Sequence, residues 1–113
     1  MAPSKILIVE YDEPHATKLK SLLEAEGHIV MGPAPTCSSA LELIWRERPD
    51  LAFVVTHLGS ETCEAVSDEC DLQDVSVIVT IEGSKQLPAF IVDRTRLDKP
   101  VQQAAVLVAL SSL

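Results

Sequence analysis

The sequence predicts an α/β domain, a parallel sheet enclosed between layers of helices. Three observations carry this. Short apolar runs alternate with helically spaced patterns along the chain; several runs are continuously apolar, as in strands covered on both faces; and Pro, Gly and Asp punctuate the junctions. At 113 residues the chain suits one domain, taken as 1–113. Hydrophobic residues make up 47% and charged residues 23%, so a packed core is expected and disorder is not.

Ile6-Leu7-Ile8-Val9 is the first buried strand, closed by the polar cluster Glu10, Tyr11, Asp12 and Glu13. Pro14 fits a first helical turn, and Ala16, Leu19, Leu22 and Leu23 recur at helical spacing until Gly27 stops the helix. A second strand runs from His28 to Met31 and is ended by Gly32-Pro33. Thr36 or Ser38 caps the next helix, with Ala40, Leu41, Leu43 and Ile44 inward, and Pro49-Asp50 breaks it.

Leu51 to Val55 is the next buried strand. Gly59 to Cys70 is less regular, with Ala65 and Val66 its strong apolar residues. Val75 to Ile81 and the shorter Phe90-Ile91-Val92 supply two more strands, and Val101 to Leu110 closes the chain as a helix. In such sheets chemistry gathers at the carboxyl ends of the strands, so the residues following each apolar run become the candidates.

A formal net charge of −8 disfavours nucleic acid and anionic membrane as partners, and suits a basic protein or a divalent cation. Cys37, Cys63 and Cys70 form no C-x-x-C pair, so their spacing predicts neither a disulfide framework nor a zinc site, and a reducing cytoplasm is expected. With an N-terminal apolar run of only four residues before Glu10, a cytoplasmic protein is expected. His15, His28 and His57 form no metal or Ser-His-Asp constellation in the sequence pattern, and His15 and His28 are expected to be surface or half-buried residues.

The stretch KILIVEYDEP, the stretch GHIVMGPAPTCSSALELIWRERPDLAFV and the stretch LDKPV resemble, in this order and spacing, the receiver domains of response regulators. The resemblance spans about Lys5 to Leu110. It implies a three-layer, flavodoxin-like (βα)5 fold with strand order 2-1-3-4-5. The stretch from Thr80 to Lys99 is short for the family, with Gly83 and Pro88 inside it, so the fourth of its five helices is expected to be trimmed or distorted.

In that family, two acids after the first strand and an aspartate ending the third hold Mg²⁺, and the aspartate accepts a phosphoryl group. Here the resemblance places Asp12 on the second acidic position, the direct metal ligand. Tyr11 stands on the first, with Glu10 beside it. The acceptor position falls on Val55, which has no nucleophile and no oxygen for a metal, so Mg²⁺ binding is expected to be weak or lost and no cofactor is implied. Lys99-Pro100 matches the lysine loop. Thr80 is the nearest equivalent of the hydroxyl switch residue, with Ile81 the competing position.

Deprived of its aspartate, Lys99 needs a counter-charge, and a Lys99–Asp12 pair is expected, with Glu10 the other available partner. The closing helix VQQAAVLVAL is more apolar than one inward stripe requires, which marks Val101, Ala105, Val106 and Leu110 as candidates for a protein interface or a homodimer; Trp45 is a further possible anchor. The resemblance thus implies a non-enzymatic, receiver-like two-component signalling protein that is independent of phosphorylation and acts on a protein partner. Two rival readings exist. One is a Mg²⁺-dependent regulator accepting phosphate on a non-standard residue such as Thr56 or His57. The other is a small-ligand flavodoxin-like module, opposed by the phosphate-repelling loop EYDEP.

Overall fold

The computed structural model describes residues 4–55, 64–81, 95–99 and 102–111. Within them the order is β1 (Lys5–Val9), α1 (Glu13–Ala25), β2 (Ile29–Ala34), α2 (Cys37–Arg46), β3 (Leu51–Val55), α3 (Glu64–Leu72), β4 (Ser76–Ile81), β5 (Thr95–Asp98) and α4 (Gln103–Ser111). The strands form one five-stranded sheet in the order β2-β1-β3-β4-β5, and every neighbouring pair is parallel. The α/β, flavodoxin-like fold expected from the sequence is the one observed. The fourth helix of the five expected falls in 82–94, outside the described residues.

Period-two alternation within the strands divides the core into two clusters, one under each helix layer. Leu7, Val9, Ala52, Val54, Val77 and Val79 meet Ala40 and Ile44 of α2 and Val66 and Cys70 of α3. On the other face Ile6, Ile8, Leu51, Phe53 and Ile78 meet Leu19 and Leu23 of α1 and Val106, Ala109 and Leu110 of α4. The direction of chain progression across the sheet reverses between β1 and β3, which puts a crevice at their carboxyl ends.

The local punctuation explains the boundaries. Pro14 lies in the first turn of α1, and Gly27 adopts φ +87 just past its end. The cap of α2 is Thr36 rather than Ser38: its Oγ1 accepts from the backbone N–H of Ser39 at 3.1 Å, and the Ser39 hydroxyl accepts from the N–H of Thr36, a reciprocal box. Asp74 takes the left-handed conformation (φ 57) in the turn that leads into β4.

Several sequence expectations change. The second strand does not stop at Gly32-Pro33 but runs through a cis Gly32–Pro33 bond to Ala34, absorbing an irregularity in its pairing between Leu7 and Val9. A Cβ at Gly32 would stand 2.7 Å from the nitrogen of Ala34 and 3.0 Å from the carbonyl oxygen of Ile8, so at φ +91 only glycine fits. The strand that pairs with β4 is Thr95–Asp98, four residues of an edge strand, whereas the apolar run 90–92 lies outside the described residues. Helix α3 buries Val66, Ser67 and Cys70 while Ala65 is exposed. Cys37 is disulfide-bonded, contrary to the spacing argument, because cross-links follow proximity in space rather than separation along the chain; its bonding partner lies outside the described residues.

Two stability predictions follow from packing. Phe53 is among the largest fully buried side chains, and Phe53→Ala should lower unfolding free energy by about 3–5 kcal/mol in urea denaturation. Gly32→Ala should cost at least about 1 kcal/mol by the same assay, since both the backbone angle and the added methyl oppose it.

Candidate functional site

The crevice at the carboxyl ends of β1, β3 and β4 holds a small cavity of about 10 Å³, lined by Ile8, Val9, Glu10, His15, Leu19, Phe53, Thr80 and Lys99. That is room for one water molecule at most. Counting by two along the strands explains the lining. Glu10 continues the face of Ile6 and Ile8, and Thr80 continues the face of Ile78, so both polar groups fall on the α1 and α4 side.

Lys99 Nζ forms an ion pair with Glu10 Oε1, and both side chains are only 6% exposed. The surrounding backbone fixes the two partners. The Lys99 N–H donates to the carbonyl of Ile81 at 2.8 Å, and the Glu10 N–H donates to the carbonyl of Ala34 at 3.0 Å. The second carboxylate oxygen of Glu10 accepts from the N–H of Asp12 at 3.3 Å. A buried charge pair of this kind persists only where its remaining lone pairs find donors, as here.

The expected Lys99–Asp12 pair is therefore corrected to Lys99–Glu10. The reason is where β1 ends. Glu10 is still in register with the strand and points inward, while Asp12 has become the N-cap of α1. Its carboxylate lies 3.4 Å from His15 Nε2, one helical turn on, and makes no capping bond. Tyr11 lies between them, 55% exposed, with no role in the cavity.

Val55 is 2% exposed and packs in the cluster beneath α2 and α3; it is absent from the cavity wall. It lies level with Thr80, its partner in the β3–β4 register, and Thr80 is itself buried at the cavity. Ile81 belongs to the opposite core cluster, so of the two competing positions Thr80 is the one at the crevice. Pro100, Thr56 and His57 lie outside the described residues. Among the described residues no three His, Cys, Asp or Glu side chains stand together as a metal site.

The interface candidates on the last helix need revision. Val106 and Leu110 are buried against the sheet, 1% and 8% exposed, and Val101 lies outside the described residues. Ala105 is exposed, together with Ala104, Leu107 and Val108. Thr95, Arg96, Leu97, Ala104, Ala105, Val108 and Ala109 border a shallow, mainly apolar groove of about 410 Å³ between β5 and α4. His15 is the site residue missed from sequence; its position one turn after Asp12, on the helix that follows the acidic cluster, was the available signal.

Neither a scan of protein-family models nor a comparison with curated protein sequences returns a match. Solved structures do match. SdrG from Sphingomonas melonis Fr1 superposes with a TM-score of 0.90 at 27% identity, covering 99% of this chain and 98% of that one. The receiver (REC) domain of the PhyR response regulator from Erythrobacter litoralis gives 0.80 at 27% identity over 99% of this chain and 90% of its own. A PhyR stress response regulator gives 0.79 at 28% identity over 96% of this chain but 44% of that one, so the chain spans less than half of its length. The chain is thus similar in structure to solved response regulators and their receiver domains.

Proposed function

We propose that this chain is a receiver-like signalling module that works by protein–protein contact and does not accept a phosphoryl group. The observation that carries this is the Lys99–Glu10 pair, closed within a cavity of about 10 Å³, while a core-packed valine occupies the end of β3. Phosphoryl transfer to a receiver needs a carboxylate nucleophile and a divalent cation held by several oxygens. Neither requirement is met by the described side chains. Glu10 is engaged by Lys99 and by the Asp12 N–H, Asp12 is turned to His15, and Val55 offers carbon only. The described residues do not fit Mg²⁺.

The pair instead does what the metal and the acceptor do elsewhere: it neutralises the strand-end charge and holds the lysine loop in one place. A module without a charge to add or remove keeps one conformation, and its output is whatever that conformation docks. The groove between β5 and α4, with Ala104, Ala105 and Val108 along it, is the docking face this reading favours for a protein partner or a second copy. No enzymatic role is proposed. No helix among the described residues is long and apolar enough to cross a membrane, and the bonded Cys37 removes the cysteine argument for a reducing compartment.

Two experiments test this. Incubation with Mg²⁺ and acetyl phosphate should leave the intact mass unchanged, and a phosphoryl mass increment would overturn the proposal. Lys99→Met should destabilise by about 3–5 kcal/mol in urea, because Glu10 is left buried without its partner, whereas Lys99→Met with Glu10→Leu should recover most of that loss. A double variant as unstable as the single one would argue against a self-contained pair.

A further inference from the structure

We propose a second docking surface, on the α2–α3 side of the molecule, that takes a basic amphipathic segment of a protein partner. Helices α2 and α3 cover the same face of the sheet and run side by side. Their carboxyl ends are joined where Arg48 Nη1 donates to the carbonyl of Gln73 at 2.7 Å. Trp45 lies three residues before Arg48, and Leu72 is the neighbour of Gln73, so both border the same closed end of the helix pair. Ile44 faces the sheet, and Trp45, one residue on, is turned about 100° away from it. The core has no use for either side chain: Trp45 is 63% exposed and Leu72 79%.

A large aromatic and a leucine left in water in the last turns of two helices whose ends are joined are the residue types that anchor interfaces. The surroundings select the occupant. From Glu64 to Asp74 the chain carries Glu64, Asp68, Glu69, Asp71 and Asp74, and no Lys or Arg, while beside Trp45 the cation Arg46 is paired with Glu42 at 2.6 Å and Arg48 is held by the Gln73 carbonyl. A second copy would set this acidic rim against its own image, and nucleic acid or anionic lipid would meet repulsion. A partner segment with lysine or arginine beside an apolar stripe meets neither obstacle. Its cations have acidic side chains to approach and an indole face to stack on, while its apolar residues cover Trp45 and Leu72. This surface is independent of the β5–α4 groove and does not rest on the silent-switch reading.

Trp45 is the sole tryptophan of the chain, so it reports on its own burial. The probe is a synthetic amphipathic helical peptide with a lysine face and a leucine face, labelled for fluorescence anisotropy and titrated at physiological salt. Saturation should shift Trp45 emission to shorter wavelength. Trp45→Ala and Leu72→Ser, separately, should each weaken binding about tenfold, while Ile29→Thr, at an exposed apolar site elsewhere, should not change it. A glutamate-faced peptide should not bind. Unchanged affinity in both the Trp45 and Leu72 variants, equal binding of the glutamate-faced peptide, or a Trp45-dependent dimer in sedimentation without peptide would each overturn the proposal. Circular dichroism of the variants establishes that any loss is not unfolding.

Discussion

The buried pair between Lys99 and Glu10 is the constraint around which the crevice is organised. An isolated ammonium or carboxylate at this depth would be costly, so each requires the other and each requires the backbone that presents it. That requirement links the ends of β1, β2 and β4 and the loop after β5 into one unit, through the Glu10 bond to Ala34 and the Lys99 bond to Ile81. Stability and function are joined here. On the proposed reading, the contact that satisfies two charges also takes the place of a metal and a phosphoryl group.

Val55 shows how a single residue type redirects a site. A carboxylate at the end of β3 would be held at the crevice by its need for solvent and counter-charge. A hydrocarbon has no such need, and it joins the cluster under α2 and α3. Thr80, one strand away and in register with Val55, keeps its hydroxyl at the cavity. At this end of the sheet one side chain thus goes to the core, one to the cavity, and Glu10 to an ion pair.

Much of the fold was legible because buried strands announce themselves: Ile6 to Val9 and Leu51 to Val55 are apolar without interruption, and their flanking Pro, Gly and Asp set the boundaries. The site was legible in its residues but not in its pairing. Glu10 rather than Asp12 meets Lys99 because of strand parity, a count that the cluster of adjacent acids conceals. The register of α4 was not readable either. In a helix apolar on nearly every side no stripe stands out, so sequence could not separate the buried Val106 and Leu110 from the exposed Leu107 and Val108. The weak apolar content of Thr95 to Asp98 hid the fifth strand, since an edge strand can be held by little apolar burial, such as that of Leu97.

Strand β2 forms one margin of the sheet, and Pro33 lies within it. A proline has no N–H to offer a newcomer, and the pairing beside it is irregular. Another chain cannot extend the ladder past that point on this side. Whatever this protein recognises along that flank, it must do so with side chains, and the same feature guards against runaway edge-to-edge aggregation.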